Sequence, residues 1–481
     1  MTTIKLDPGA ALLLDVLHGA GHAAYAVGGC VRDSLLGLDP HDWDLCTSAR
    51  PEQVMALFGE EKCIPTGLQH GTVTVKQGGR LYETTTFRTE GAYSDGRHPD
   101  AVCFVPDVRE DLARRDFTIN AMAYSAEEGL IDPFGGRDDL AAHLVRAVGE
   151  PERRFEEDAL RILRLYRFAA RFGFAIDPAT GAAARALGPH LDCVSAERIQ
   201  EELLKLLAAP RPGSYLEPAV LAVVLPELEP EKQPERFAEL CRTIDRIEPT
   251  AENVPARLAA LLCPLGEAGA RKALRKLKCS NALTDEVTAL VGGSVGSFLL
   301  GHEFELRHPA DALCLERHSH PAGRCPNSNS LFPPQAAVVA VAGHSIARPI
   351  ACGNRVPPQR TVLGETPGTP NTTLTVQAKR LLGSYELPTI QRLTALCSAR
   401  HPEQAEAFAA LRAEAEQLTA ENACCRVSQL AVNGRDLMAA GVRPGPGLRQ
   451  VLNALLEAVI TGQTPNEKDA LLAAAAQFSA S

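Results

Sequence analysis

The spacing of apolar residues changes from mixed to helical near residue 140, and that change limits the fold more than any composition does. Before it, short β-type runs alternate with helical ones. "AAYAV" (23–27) reads as a strand stopped by Gly28-Gly29, and "CVRDSLLG" as a helix closed by Gly37. "PEQVMALF" (51–58) reads as a helix with Pro51 in its first turn, where a missing N–H does no harm. "GTVTVKQGGRLYETTTF" (71–87) reads as a β-hairpin turning at Gly78-Gly79. From about residue 138 to residue 293 the period is almost purely helical. One continuous helix is expected over "EEDALRILRLYRFAARFGF" (156–174) and another over "SAERIQEELLKLL" (195–207). In the second, Ser195 is placed to cap the N-terminus and Arg198 lies one turn before Glu202. A mixed sheet-and-helix head followed by helices alone makes an α+β chain.

Residues 294–376 break the pattern. No lysine occurs between Lys278 and Lys379, ten of the 34 prolines fall between 301 and 370, and the helical period vanishes. Such composition reads as an insertion, a disordered segment or an out-of-frame stretch. The helical pattern resumes abruptly in "KRLLGSYELPTIQRL" (379–393) and fills a tail over 377–481, where a Gly-Pro-Gly turn precedes a long amphipathic helix. A chain of 481 residues has room for roughly three or four domains. It holds no run of about 18 apolar residues, so no membrane span is expected. "MTTIKLDPGAALLLDVL" reads as an amphipathic helix, not a signal peptide. The fourteen cysteines form no C-x-x-C pair, which argues against a zinc ribbon and for reduced thiols in a cytoplasmic protein.

"HDWDLCT" (41–47) carries the first chemical signal. As a strand it places Asp42 and Asp44 on one face and Trp43, the only tryptophan, on the other. Two carboxylates that close need a cation, and a hard divalent ion such as Mg²⁺ takes oxygen ligands. A solvated edge strand would show the same pattern, so the neighbours decide. Glu83 joins the pair if the second hairpin strand lies beside it; otherwise it is an exposed charge. The Gly28-Gly29 turn would let backbone N–H groups approach a phosphate, with Arg32 as a clamp in the first helical turn. The plainer reading is a tight turn with Arg32 and Asp33 in solvent. "EDLARRDFTINAMAY" (110–124) sets Arg114 and Arg115 beside Asp116, read as a triphosphate clamp at a helix start. The net charge of −10 counts against a nucleic-acid surface overall. Locally, Arg146, Arg153, Arg154, Arg161, Arg164, Arg167 and Arg171 make a basic stripe inside the acidic chain.

Taken in order, GGCVRD, DWDLCT, TTFR, RRDFTINAMAY, DPFGGRDDL and EDALRILRLYRFAARFGF resemble the class II tRNA nucleotidyltransferase/poly(A) polymerase family, above all its bacterial CCA-adding branch. The resemblance is strong over 1–210 and looser over 377–481; residues 294–376 depart from it. It implies a nucleotidyltransferase palm in a head (1–140), a helical neck with a base-reading helix (141–210), a helical body (211–293) and, beyond the anomalous segment (294–376), a helical tail that binds tRNA (377–481). It implies Mg²⁺ on Asp42 and Asp44, which with Glu83 form the expected catalytic set. It carries nucleotide contacts onto Gly29, Arg32, Arg115, Asp158, Arg161, Arg164 and Arg167. His41-Asp42 then belongs to the metal motif and not to a phosphohydrolase.

The activity implied is template-independent addition of C, C and A to the tRNA 3′ end from CTP and ATP, releasing pyrophosphate, with no membrane and no obligatory protein partner. The alternatives are a poly(A) polymerase, a partial CC- or A-adding enzyme or, from another class, a non-catalytic RNA-binding protein, which would gain nothing from adjacent carboxylates. Cytosine and adenine both present an amino donor beside a ring acceptor, whereas uracil and guanine present the reverse. A carboxylate paired with a guanidinium therefore selects the first two. Asp158 and Arg161, three apart on one expected helix, would share a face for this. Arg164 would lie to the side, and Arg167 opposite, to serve phosphate, RNA or helix packing. "RTEGAYSDGRHPD" (88–100) is expected to be a loop that gates the change from C to A addition.

Overall fold

A computed structural model of the chain describes residues 3–90, 102–295 and 372–478. The expected gating loop, apart from residues 88–90, and nearly all of the anomalous segment lie outside these residues, and so do Cys314, His318, His320 and Cys325, whose spacing in the sequence hints at a metal site.

The head is built on a seven-stranded sheet of order β3-β4-β5-β2-β1-β8-β9. Its strands are β1 (Ala24–Val27), β2 (Leu45–Thr47), β3 (Cys63–Gly67), β4 (Thr72–Gln77) and β5 (Arg80–Thr86), then β8 (Ala123–Ser125) and β9 (Gly129–Ile131). A separate ribbon pairs β6 (Arg88–Glu90) with β7 (Val102–Phe104). Every neighbour in the main sheet is antiparallel except β2 and β5, which run parallel with Leu45 opposite Thr84. The helices of the head are α1 (Pro8–Gly19), α2 (Gly29–Leu35), α3 (Pro51–Phe58), α4 (Val108–Ala113) and α5 (Gly136–Ala141). Tyr25, Val27, Cys46, Phe87, Leu112 and Ala123 belong to a fully apolar core cluster. The expected hairpin at Gly78-Gly79 is β4–β5.

The remainder of the described residues is helical apart from one parallel ribbon, β10 (Leu144–Val145) with β11 (Ala175–Ile176). First come α6 (Pro151–Glu157), α7 (Leu160–Phe172), α8 (Pro178–Ala186), α9 (Ala196–Leu207) and α10 (Pro218–Val224). They are followed by α11 (Pro234–Arg246), α12 (Val254–Leu262), α13 (Gly266–Lys276) and α14 (Asn281–Val295). The last group is α15 (Thr372–Ser384), α16 (Leu387–Arg400), α17 (Ala405–Ala420), α18 (Gly434–Ala439), α19 (Pro446–Ile460) and α20 (Lys468–Phe478). The α+β class holds as expected.

Four local expectations need correction. β2 begins only at Leu45, so Asp42–Asp44 lead into the strand and are not part of it. The helix expected over 156–174 is two helices, broken where Asp158 takes an extended backbone, φ −150° and ψ 102°. Arg114 and Arg115 follow the end of α4 and start no helix. Helix returns at Thr372, earlier than the tail boundary of 377. Ser195 does stand at the N-cap of α9, but its side chain makes no capping bond.

Candidate active site

Alternation survives although Asp42–Asp44 are not in the strand. Trp43 is buried, while Asp42 and Asp44 are solvent-accessible. The Asp44 carbonyl accepts the Val27 N–H at 2.9 Å, which ties the segment to β1 just before the Gly28 turn. Glu83 precedes Thr84 as Asp44 precedes Leu45, so the parallel register sets the two carboxylates alongside. The Asp44 carboxyl is pushed up to about 6, first because protein atoms crowd it away from bulk water and then because Glu83 and Asp42 repel its charge. Arg115 opposes that rise. A carboxylate can be reached by water and still be poorly solvated when it sits in a concave wall; both descriptions hold for Asp44.

Gly28 has φ +77°, a backbone that favours glycine, and a Cβ there would lie 2.8 Å from the Arg115 guanidinium. Arg115 therefore lies over the strand-to-helix turn and also feels Asp44. It is tethered to Asp111 at 3.4 Å, and its buried Nε has no hydrogen-bond partner. The structure thus brings together Gly28-Gly29, Asp44, Glu83 and Arg115.

The other arginines are held differently from what was expected. Arg32 is buried, bonded to Asp33 and Asn120, and its guanidinium sits 5.3 and 4.8 Å from the Phe168 and Phe172 ring centres. It pins the turn to α7 and does not reach open solvent. Asp158, off the helix, receives two bonds from Arg198 at 2.8 and 3.2 Å. Arg161 is buried and donates to Glu157 at 2.8 Å and to the Arg154 and Arg114 carbonyls. The expected Asp158–Arg161 pair on one helix face is therefore not formed, because the chain breaks between them. Arg164 donates to Asp116 at 2.6 and 2.9 Å. Burial alone would raise the Asp116 carboxyl, but the Arg164 charge and its hydrogen bonds hold it at about 2. Arg167 lies 2.6 Å from Glu202 and 4.0 Å from the Phe168 ring centre; burial pulls it down to about 10 against the Glu202 charge. Arg167 thus ties α7 to α9 through Glu202.

The basic stripe is consequently a set of ion pairs. Arg146 meets Asp139 and Asp177, Arg153 and Arg154 meet Glu157, and Arg171 meets Asp33. Sequence reading named Asp116 beside Arg115 and Glu202 a turn after Arg198 but not their partners Arg164 and Arg167, and it missed Asp111 and Glu157, of which Glu157, adjacent to Asp158, had a visible signal. Among the described residues no three His, Cys, Asp or Glu side chains converge as a ready-made metal cage. The donor chemistry nevertheless fits Mg²⁺, which is commonly held by one or two carboxylates together with water and substrate phosphates. Here burial first and then the charges of Glu83 and Asp42 raise Asp44, a strain that a cation relieves.

Residues 24–146 match a family model for the poly A polymerase head domain, 173–231 one for an RNA- and SrmB-binding site of polymerase A, and 384–475 one for tRNA nucleotidyltransferase domain 2. The CCA-adding enzyme of Lactiplantibacillus plantarum is 33% identical over 463 residues, covering 96% of this chain and 93% of that one. The chain belongs to the CCA-adding enzyme family. The CCA-adding enzyme of Levilactobacillus brevis is likewise 33% identical, over 96% of both chains. The crystal structure of the Bacillus stearothermophilus CCA-adding enzyme in complex with CTP superposes with a TM-score of 0.70 at 30% identity, covering 98% of each chain. As in other nucleotidyltransferases, the chemistry of CCA-adding enzymes generally depends on a divalent metal. No helix among the described residues is long and apolar enough to cross a membrane.

Proposed function

We propose that this chain adds C, C and A in turn to the 3′ end of tRNA, using CTP and ATP. The observation that carries the reading is the meeting of Asp44, Glu83 and Arg115 at the Gly28-Gly29 turn in a chain akin to CCA-adding enzymes along its whole length. The tRNA 3′-hydroxyl attacks the α-phosphorus; a new P–O bond forms there, the bond to the β-phosphate oxygen breaks, and pyrophosphate leaves with the electron pair. Asp42 and Asp44, with Glu83 alongside, would hold Mg²⁺, whose chemistry when bound is to neutralise phosphate charge and acidify the hydroxyl. Arg115 and the Gly29 backbone receive the triphosphate, and Arg32 fixes the turn that presents Gly29. For base reading, Asp158 accepts the amino group of cytosine or adenine in place of an Arg198 bond, and Arg161 donates to the ring acceptor in place of one of its present bonds to Glu157 or a carbonyl. Arg164 and Arg167 hold α7 in position through Asp116 and Glu202.

We assign the head to 1–140, the neck to 141–210, the body to 211–293 and the RNA-binding tail to 372–481, from the start of α15. The cytoplasm is the proposed location, supported by free thiols at the eleven described cysteines. The test is incubation of the purified protein with labelled CTP and ATP and a tRNA ending at the discriminator base, followed by sequencing of the product ends. The expected product is CCA and nothing longer. An adenosine tract, or arrest after CC with ATP present, overturns the proposal.

A further inference from the structure

A recess lies where α7 ends. It has a volume of about 390 Å³, and Arg171, Phe172, Pro210, Arg211, Ser214 and Tyr215 line it. No carboxylate is among its lining residues, in a chain of net charge −10. Arg171 is half exposed, lies over the Phe172 ring at 5.1 Å and reaches Asp33 of α2 at 3.4 Å. Asp33 is four residues beyond Gly29, roughly 6 Å along the helix axis, so Arg171 links the recess to the helix that starts at the proposed phosphate turn. Arg211 is exposed and, among the described residues, has no ion-pair partner.

The segment that presents Arg211 and Tyr215 is unusually well fixed. Arg257, fully buried, donates to the Leu207, Ala209, Pro210 and Ile247 carbonyls and so holds the segment from below. Asp245 accepts from the Gly213 N–H at 2.7 Å and the Ser214 hydroxyl at 3.1 Å. Gly213 packs so closely that a Cβ would lie 2.1 Å from the Cys241 carbonyl oxygen. The backbone of the segment is thereby satisfied from within, while its cation and its ring face outward.

We propose that this recess is a subsite for one nucleotide of the tRNA strand that leads to the growing 3′ end, with its phosphate between Arg171 and Arg211 and its base or ribose against Tyr215. The inference rests on the tRNA-adding reading above. Guanidiniums interleaved with aromatic faces are the chemistry that holds a single RNA strand. The volume suits one nucleotide and not a duplex, and the open side lets the strand continue.

The test measures binding of a fluorescent tRNA ending at the discriminator base to the full chain, by anisotropy over a range of salt. The variants are Arg211→Ala, Arg211→Lys and Tyr215→Ala. Arg242→Ala, a surface arginine paired with Glu239, controls for loss of one positive charge. Arg211→Ala should weaken binding about tenfold, the size of one charged hydrogen bond. It should also lower the slope of log affinity against log salt by about 0.7 to 0.9, the value for one lost phosphate contact. Arg211→Lys should recover part of the affinity, Tyr215→Ala should weaken binding without changing the slope, and Arg242→Ala should do neither. Unchanged affinity and slope in folded Arg211→Ala and Tyr215→Ala overturn the subsite. A raised KM for CTP or ATP with normal tRNA affinity also overturns it, because the recess would then take free nucleotide. A wild-type protein that binds tRNA and adds nothing refutes the proposed reaction, while the binding data still decide the subsite.

Discussion

Asp44 is the side chain on which most of the proposed chemistry converges. Its raised carboxyl comes from crowding against protein, Glu83 and Asp42, so a bound cation would relieve a repulsion already present. Asp42→Ala and Asp44→Ala each remove an acceptor that faces outward and leave the Trp43 anchor in place. Each is expected to abolish incorporation of labelled C and A while tRNA affinity stays within about threefold of wild type, since RNA affinity comes mainly from other charges. A variant with near-normal turnover would take that aspartate out of the metal site. Base choice is tested at Asp158 and Arg161. The double alanine variant should incorporate UTP and GTP more readily relative to CTP and ATP, and preserved selectivity would place base reading elsewhere. The D-x-D pattern was legible because side chains alternate in extended chain whether or not a ladder forms. The partners of the arginines were not legible. Asp116 meets Arg164 across 48 residues and Asp158 meets Arg198 across 40, and no local pattern encodes contacts of that span.

The helices and the hairpin were legible because their signals are local: apolar period, a proline in the first turn, glycines at a tight turn. The break at Asp158 was hidden because the flanking residues keep a helical pattern on both sides. What stops the helix is a local bond joined to a tertiary one: Asp158 accepts from the Leu160 N–H at 3.1 Å and meets Arg198 of α9. A similar long-range contact latches α7 to the head through Asp116 and Arg164. The Asp116 carboxyl lies at about 2 against an ordinary 3.8, so the folded state binds its proton more weakly than the unfolded chain. Its contribution is thus fully present above about pH 4 and is lost as pH falls through about 2, for roughly 2 kcal/mol in all. Asp116→Asn leaves Arg164 without its bidentate acceptor and should lower unfolding free energy by about 3 kcal/mol at pH 6. Urea unfolding should show the gap to wild type narrowing as pH approaches 2; a gap independent of pH would mean that Asp116 is not the titrating latch. Arg257→Leu is expected to cost about 3 kcal/mol by the same measurement, because the carbonyls of Leu207, Ala209 and Ile247 lose a buried donor.

The helices on either side of residues 296–371 form one packed unit. α16 lies against α11, α12 and α14, with Ile390, Leu393 and Leu396 buried in it. Arg246 of α11 donates to the Ala399 carbonyl at 3.1 Å, and Arg392 of α16 meets both the Glu252 carbonyl and the Glu286 side chain. Helices 254–295 therefore complete their apolar faces with residues more than 90 positions downstream, whatever joins them. That follows from the amphipathic pattern: a helix with one apolar stripe must bury it, and α12, buried almost all round, needs neighbours on several sides. A chain ending at residue 295 should keep the head sheet but expose the surfaces that α16 covers. Its amide hydrogens in α12 and α14 should exchange at least about 100-fold faster than in the whole chain, equivalent to about 3 kcal/mol of lost local stability, while those of β4 and β5 stay protected. Supplying residues 372–481 in trans should restore protection by mass action. Equal protection of α12 and α14 in the shortened chain would show that the body stands without the C-terminal helices, and the division between body and tail would then be one of stability as well as of sequence.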